Sequence, residues 1–230
     1  MSHLVEIKQE LINQYNEAHV AEKDYILRSL SENNWEKQKE EGNITLYSRS
    51  VPGSSFIETK TVILVDAPAQ AMIDTMTYDK VFSLEETPQG PIPPEEIYAL
   101  YDPKDENQSI IYFMAMKSPA FLVAPREMLL YRRTYFEGGK TIFMQMSIDN
   151  EDLKPQRKSH VRTIISGQAF VIEADPENKE RCIMTVFSHV NPGGSLPAWA
   201  VNYSVKNQLD GVKTITGEAV KYYQRTKNNE

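Results

Sequence analysis

The chain has 230 residues, 40% of them hydrophobic and 25% charged, which is enough to bury a core and excludes disorder over the whole length. Its formal net charge of −7 argues against a nucleic-acid surface, which needs clustered Lys and Arg, and against a strong standing attraction to anionic membranes. With one cysteine, Cys182, no intramolecular disulfide forms, and without a recognisable secretory signal or spanning segment we expect a cytoplasmic protein.

The chain begins with a helical pattern that later changes to a strand pattern. Apolar residues recur at spacings of three and four in residues 4–21, which predicts a helix, and a second helical stretch follows at 21–30. The charged run 36–42 is interpreted as a loop. Alternation with a period of two then predicts strands at 43–49 and 55–65.

The rest of the chain predicts one short helix, many strands and one long helix. Asp66 is suited to cap a short helix that ends at about Thr77, and the proline-rich run 85–95 is interpreted as a loop. Gly138–Gly139 suits a tight hairpin, and the last helix covers 196–224 with one apolar stripe. A long antiparallel sheet covers its apolar face by curling around a helix, so the fold class is α+β. Strands are predicted at 96–101, 108–116, 127–136, 141–148, 161–174 and 180–190.

Motifs for catalysis or metal binding are missing from this sequence. It contains no Gly-rich phosphate loop of Walker type, no GxSxG, no HExxH and no CxxC pair. His189 lies on a predicted strand and could act as a base, although a hydrogen-bonded strand histidine is the ordinary alternative. Cys182 is interpreted as a buried, inert thiol rather than a nucleophile. We therefore predict no catalytic residue, no metal and no cofactor.

Several predicted strands carry apolar residues on one face. Methionine is flexible and polarizable, so a Met-rich face suits contact with an acyl chain or fused rings, and plain core packing is the alternative. The residues that share a face within each strand are Ile110, Tyr112, Met114 and Met116; Met128, Leu130, Arg132, Thr134 and Phe136; and Ile142, Met144, Met146 and Ile148.

Arg132 is the one charged residue on these faces. An arginine cannot lose its charge, so it needs an acidic or carbonyl partner when it is buried. A phosphate or a water-linked hydroxyl of a ligand would serve. A salt bridge to a buried carboxylate of the protein, or a wrong assignment of the face, are the alternatives.

Four segments of the chain match, in order, a known set of motifs. The first is Trp35 followed by Gly-Asn-Ile-Thr-Leu-Tyr-Ser-Arg at 42–49, and the second is the Pro-Arg-Glu-Met of 125–128 with Arg132. The third is 154–162, and the fourth is the run Asn-Pro-Gly-Gly-Ser-Leu-Pro-Ala-Trp-Ala-Val-Asn at 191–202. In this order they resemble the opening motif, the arginine-bearing strand, the following loop and strand, and the start of the last helix of the START family, the StAR-related lipid-transfer domains.

The resemblance implies a stand-alone START-like domain over 1–230, with a core at about 20–226. Its fold would be a helix-grip: a curved antiparallel sheet around a long C-terminal helix, with N-terminal helices and an internal hydrophobic cavity. Its function would be intracellular binding and transfer of one lipid, without enzymatic activity, by a monomer that contacts membranes transiently. The ligand-binding residues would be Arg132, Tyr112, Met114, Met128, Leu130, Met144, Met146, Trp199 and Tyr203.

The same resemblance implies a lid made of the last helix and the loop 150–160, which contains Pro155. Gly193, Gly194 and Leu196 would form its hinge. Gly211 and Gly217 lie within the last helix, where each costs roughly 1 kcal/mol relative to Ala. They are hypothesised to let the lid loosen at a membrane, with close packing on the sheet as the alternative.

One departure from the family pattern bears on the ligand. Sterol-binding members pair the strand arginine with an acidic residue on the preceding strand, and here the aligned position is Phe113. No acidic residue lies between Glu106 and Glu127. A phospholipid is therefore favoured as the ligand. A sterol or ceramide binder, a lipid sensor, and an enzyme on the same scaffold are the alternatives.

Overall fold

The structure, a computed structural model, describes residues 3–77, 94–118, 123–197, 201–202 and 209–227. Its helices are α1 (Gln9–Ser31), α2 (Ala69–Thr75) and the described part of the C-terminal helix, α3 (Leu209–Lys227). Its strands are β1 (Glu36–Glu41), β2 (Ile44–Arg49), β3 (Glu58–Val65), β4 (Pro94–Tyr101), β5 (Ile110–Met116), β6 (Arg126–Glu137), β7 (Lys140–Ser147), β8 (Val161–Arg162), β9 (Ile164–Asp175) and β10 (Asn178–Asn191).

These strands form one sheet in the described part of the chain. The order is β1-β2-β3-β10-β9-β7-β6-β5-β4, and β8 pairs with β6. All neighbours along this order are antiparallel, as the short connections predicted, and the β6–β8 pair alone is parallel. Gly138 and Gly139 connect β6 to β7 with φ angles of 58° and 74°, which fits the turn that two-residue hairpins prefer.

Helices cover both faces of the sheet. The face that we call inner packs against α2 and α3, with Ile63, Phe143 and Met184 of the strands beside Met72 and Leu209 of the helices. The opposite, outer face packs against α1. Because both faces of the sheet bury apolar side chains, many strands carry hydrophobic residues on both faces, as is typical of a sheet covered on two sides.

The two helices predicted for residues 4–30 are one continuous helix, α1. Ala21, at the predicted break, is the best helix former and gives the backbone no reason to stop there. Leu4 and Val5 precede the helix and are exposed, and the Val5 N–H donates to Leu100 O over 2.8 Å. The first residues therefore run beside the edge strand β4.

The charged run that was predicted to be a loop is the edge strand β1, so this prediction is wrong. Its backbone pairs with β2, while most of its side chains stay in water. A strand without a buried face shows no apolar alternation, which is why the pattern does not reveal it. Its charges also discourage pairing with a second chain at this edge.

The long last helix is confirmed at residues 201–202 and in α3, but Leu196 and Pro197, at its predicted start, are not helical. Residues 201–202 are helical, and α3 extends to Lys227, beyond the predicted end. Members of its predicted apolar stripe, Leu209 and Ala219, are buried in the core of the inner face. Of the predicted loop 85–95, Pro94 and Glu95 belong to β4 and the remainder lies outside the described residues. None of the described helices is long and apolar enough to cross a bilayer.

Candidate functional site

Arg132 is buried on the inner face, near the middle of β6. Its neighbours across the two adjoining strands are Ile110 and Gln145. The Nη2 of Arg132 donates to Met76 O, at the C-terminal end of α2, over 2.6 Å, and the guanidinium lies 5.0 Å from the centre of the Phe143 ring. A helix C-terminus is a favourable place for a cation.

No ion pair involves Arg132 among the residues that the structure describes. Burial lowers the pKa of its guanidinium, and the interaction that opposes this shift comes from Tyr112, not from a carboxylate. The salt bridge to a buried carboxylate, which was the alternative to a ligand, is therefore not found among the described residues. The cation is held by one carbonyl oxygen and one aromatic ring, which leaves most of its five donors for another partner.

A chain of polar side chains lies beside Arg132 on the same face. The Tyr112 hydroxyl donates to Gln145 Oε1 over 2.5 Å, and Gln145 Nε2 donates to Gln168 Oε1. Burial raises the pKa of Tyr112 to about 12, so the phenol stays neutral and remains a donor. These three residues place amide and hydroxyl groups next to a cation within an apolar surface.

Gln145 and Gln168 were missed by the sequence analysis, although one signal for Gln145 was present. The tight turn at Gly138–Gly139 fixes the register of β6 and β7. Counting the same number of residues away from the turn along each strand places Gln145 opposite Arg132. No local signal identifies Gln168, because its position depends on the pairing of β7 with the distant strand β9.

The structure brings together four of the predicted ligand residues with Arg132. Tyr112 pairs with Leu130, and Met114 pairs with Met128, in the same register that pairs Ile110 with Arg132. Since paired residues point to the same side of a sheet, all of these lie on the inner face. They pack as one apolar cluster, with Ile165 added from β9.

Met144 and Met146 lie on the other face, so grouping them with Arg132 is wrong. Met144 pairs with Arg133, and Met146 pairs with Tyr131, whose side chains alternate with that of Arg132. Met144 is fully buried against Ile26 of α1. The alternative of plain core packing therefore describes Met144.

Phe113 is not the position beside Arg132 on the preceding strand. It lies on the outer face, buried with Leu129 and Tyr131. Ile110 occupies the place next to Arg132 on β5. Since Ile110 is apolar, β5 still supplies no carboxylate to the arginine, and the argument against the sterol anchor does not depend on the misplaced residue.

The loop 150–160, which was predicted to form part of a lid, packs on the outer face of the sheet. Asn150 Nδ2 donates to the Tyr15 hydroxyl over 2.9 Å, and Lys154 Nζ donates to the Tyr98 hydroxyl over 2.7 Å. Leu153 joins the apolar cluster under α1. Pro155 is exposed in this loop, on the far side of the sheet from Arg132.

The predicted hinge residues form a tight turn after β10. Gly193 and Gly194 have φ angles of 68° and 70°, and a Cβ on Gly193 would lie 2.6 Å from Arg162 O. These two facts explain the glycine at 193 by conformation and close approach. Leu196 follows the turn and is half-buried, whereas the predicted ligand residues Trp199 and Tyr203 lie outside the described residues.

Gly211 and Gly217 of α3 face open space. A Cβ added to either would meet no atom of the described residues within 4 Å, apart from the helix's own nearby backbone. Close packing against the sheet, the alternative explanation for these glycines, is therefore wrong. The hypothesis that they loosen the helix stays a prediction.

The other two reactive side chains considered in the sequence analysis, Cys182 and His189, have structural roles in the fold. Cys182 is fully buried beside Met184 on the inner face, and burial raises the pKa of its thiol to about 11. The His189 ring lies 3.1 Å from the hydroxyl of Ser54, as expected for a hydrogen-bonded strand histidine. Among the described residues, no group of three His, Cys, Asp or Glu could hold a metal ion.

The inner face is thus an apolar surface that carries the buried cation of Arg132, on a sheet that packs around a C-terminal helix. A model of the START domain family matches residues 18–226, and the chain belongs to this family. Phosphatidylcholine transfer protein from Bos taurus is 27% identical over 130 residues, which are 55% of this chain and 59% of that protein. The same protein from Mus musculus is 24% identical over 200 residues, covering 84% of this chain and 86% of the relative.

Solved structures confirm the helix-grip fold. Human STARD10 superimposes with a TM-score of 0.74 at 18% identity, covering 90% of this chain and 81% of that one. Human StAR-related lipid transfer protein 5 also gives a TM-score of 0.74, at 13% identity, and covers 95% of this chain and 99% of that one. At these identities the likeness concerns the fold.

Proposed function

We propose that the protein binds one lipid on the inner face and transfers it between membranes, and that this lipid is a phospholipid. The observation that carries the proposal is Arg132, a buried cation on an apolar surface for which the described residues supply no carboxylate. Family membership and the phosphatidylcholine transfer proteins among its relatives support it.

Burial of hydrocarbon would supply most of the binding free energy. A two-chain phospholipid exposes apolar surface worth about 25 cal/mol per Å² when it leaves water. The cluster around Met128 and Leu130 offers an apolar surface for such burial. A lipid on this surface would be enclosed between the sheet and the C-terminal helix.

The polar groups beside this cluster suit a phosphate and its ester linkages. A phosphate neutralises Arg132 through charge-assisted hydrogen bonds, which are about twice as strong as neutral ones. Gln145 and Gln168 present amides that can pair with ester carbonyl oxygens or hydroxyls. A sterol hydroxyl would leave the charge of Arg132 uncompensated, which is why a phospholipid is favoured.

Catalysis is not part of this proposal. Arg132 and Tyr112 are titratable groups on this surface that influence each other's pKa, and burial keeps the phenol neutral at ordinary pH. Neither group exchanges a proton near neutral pH, so the pair cannot act as a general acid and base. We therefore propose a non-enzymatic, monomeric, cytoplasmic carrier in which residues 1–230 form one lipid-binding domain and membrane contact is transient.

Native mass spectrometry of the purified protein, followed by extraction and identification of the lipid, tests the proposal. One phospholipid per chain would support it and would name the head group. A bound sterol or ceramide would overturn the choice of ligand class, and no lipid after incubation with mixed liposomes would overturn lipid binding. Transfer between donor and acceptor vesicles then separates a carrier from a sensor, since a sensor binds lipid without moving it.

A further inference from the structure

The turn between β10 and the C-terminal helix is held by Asn191, the last residue of β10, and by Thr163, which lies between β8 and β9. The Asn191 side chain accepts the N–H of Gly193 over 2.9 Å, and the Thr163 hydroxyl donates to Pro192 O over 3.3 Å. Gly193 rests against the backbone of Arg162 on β8. The direction in which the chain leaves the sheet toward α3 is therefore set at this turn.

Arg126, at the start of β6, joins this turn to the segment between β5 and β6. Its Nε donates to Pro192 O over 3.2 Å, and its Nη2 donates to Gly193 O over 3.4 Å. Its Nη1 donates to Ala124 O, at the end of the β5–β6 connection. One guanidinium thus links two connecting segments that are far apart in sequence.

The acceptors of Arg126 are all neutral. Two other half-buried arginines have a carboxylate partner: Arg49 pairs with Glu58, and Arg162 pairs with Glu127. No ion pair to Arg126 occurs within the described ranges, and burial lowers the pKa of its guanidinium. Its positive charge is therefore desolvated in part and left without a counter-ion from this part of the protein.

A phosphate is a better partner for such a guanidinium than three carbonyl oxygens. The planar donor fork of arginine matches phosphate geometry, and hydrogen bonds between two charged groups are roughly twice as strong as those with neutral acceptors. Arg126 is half-buried, and Ala124 beside it is exposed, so a surface can approach the guanidinium from outside. The bonds to Pro192 and Gly193 are long enough to be exchanged at little cost.

We propose that Arg126 clamps the turn at Pro192–Gly193, and that the phosphates of an anionic lipid surface release this clamp by binding its guanidinium. This inference rests on the proposed lipid transfer, because release of the turn would free the segment that leads into the C-terminal helix. Arg126 is a positioning residue: it acts through the turn and not through the ligand. Because the net charge of −7 is repelled by an anionic surface, the contact between Arg126 and that surface is local and short-lived.

Hydrogen exchange of the unmodified protein is the first test, since it requires no variant to fold. Exchange is measured for the peptide that contains Gly193, alone, with phosphatidylcholine vesicles, and with vesicles that also contain phosphatidylserine. We expect faster exchange at 191–197 only with the anionic vesicles, because the choline cation offsets the phosphate charge of phosphatidylcholine and leaves no net attraction for Arg126. Equal exchange with both vesicle types would overturn the proposal, and acceleration by inorganic phosphate alone would show that a lipid surface is not required.

Transfer kinetics of variants provide the second test. We expect the unmodified protein to transfer lipid about fivefold faster from anionic than from neutral donor vesicles, the factor that one basic side chain contributes near such a surface. Arg126→Gln should be faster than the unmodified protein with neutral donors and should lose the fivefold gain, whereas Arg126→Lys should keep part of it. Lys140→Gln, which removes the same charge at the far end of the β6–β7 hairpin, should keep all of it.

A full anionic gain in Arg126→Gln would overturn the clamp. The amount of lipid bound at equilibrium, measured by native mass spectrometry, separates this failure from failure of the proposed function. If Arg126→Gln binds lipid and transfers it with the gain of the unmodified protein, only the clamp is wrong. If the unmodified protein binds no lipid, the proposed function is wrong as well.

Discussion

The guanidinium of Arg132 and the carbonyl oxygen of Met76 are 2.6 Å apart, which joins the middle of the sheet to the C-terminal end of α2. This bond is the one direct polar contact of Arg132 that we find in the described residues. A single carbonyl is a weak match for a cation with five donors, and this mismatch is the physical reason to expect a ligand at this position.

Arg132→Leu should reduce phospholipid loading and leave the protein folded. A hydrogen bond to a charged group contributes about 1.5–3 kcal/mol, so we expect a loss of roughly tenfold or more in lipid affinity. Removing a buried cation also relieves its desolvation, so thermal stability should not fall much. Lipid per chain from native mass spectrometry, together with the melting temperature, measures both effects.

Arg133→Leu is the matched control for this substitution. Arg133 is the next residue of β6 and points to the outer face, where its Nε donates to the Ser109 hydroxyl. Lipid loading should not change in this variant. Equal losses in the two variants would show that charge in general, and not the inner-face position of Arg132, controls loading.

Gly211→Ala and Gly217→Ala should each stabilise the protein by roughly 1 kcal/mol, since alanine favours a helix and both positions face open space. Chemical denaturation measures the gain. If loosening of α3 limits lipid exchange, the double variant should also transfer lipid more slowly. Unchanged transfer in a stabilised protein would rule out the loosening hypothesis.

Gly193→Ala is the contrasting variant and should destabilise the protein, because Gly193 has a positive φ and a Cβ there would contact Arg162 O.

Glu22 should make the protein less stable as the pH rises through neutrality. Its carboxyl lies over Gly167 and near Glu58 under α1, and burial first, then repulsion by Glu58, raises its pKa from 4.5 to about 7. The folded protein therefore binds more protons than the unfolded chain between these values. The stability that protonated Glu22 contributes to the folded state is fully present below pH 4.5 and is lost as the pH rises through 7.

Glu22→Gln should remove this pH dependence and make the protein more stable than the unmodified chain at pH values above 7. Denaturation at several pH values measures the difference. Glu17→Gln removes the same charge from the exposed side of α1 and serves as the control. A parallel shift in both variants would assign the effect to net charge and not to the buried carboxyl.

His19 should have the opposite effect in acid. It is fully buried, with its Nδ1 2.7 Å from the Tyr135 hydroxyl, and burial followed by the charge of Arg133 lowers its pKa from 6.5 to about 4. Because the folded pKa is the lower one, the stability contributed by His19 is present above pH 6.5 and is lost as the pH falls through 4. The full loss is on the order of 3 kcal/mol.

His19→Gln should flatten this acid limb of the stability curve, measured by thermal unfolding between pH 4 and 6.5. His3→Gln, which replaces a histidine in the exposed first residues, should leave the limb in place. An unchanged limb in His19→Gln would show that other groups cause the loss of stability in acid.

Local patterns in the sequence by itself were sufficient to predict most strands, the long last helix and the family. Alternation identifies strands wherever one face is buried, and a two-residue turn such as Gly138–Gly139 sets the register of its own hairpin. The placement of Tyr112, Met128 and Leu130 on the face of Arg132 follows from this alternation. Each of these inferences uses residues that are close together in the chain.

Only the tertiary structure decided which face of the sheet holds the site. Both faces are apolar because helices cover both, so hydrophobicity cannot tell whether Met144 meets α1 or the C-terminal helix. The alternation of apolar and polar residues does not reveal β1, because neither face of this strand is buried. The loop 150–160 takes its place from contacts with Tyr15 and Tyr98, which lie far away in sequence. A single sequence determines which residues share a face, whereas the element that packs on that face depends on contacts between distant segments.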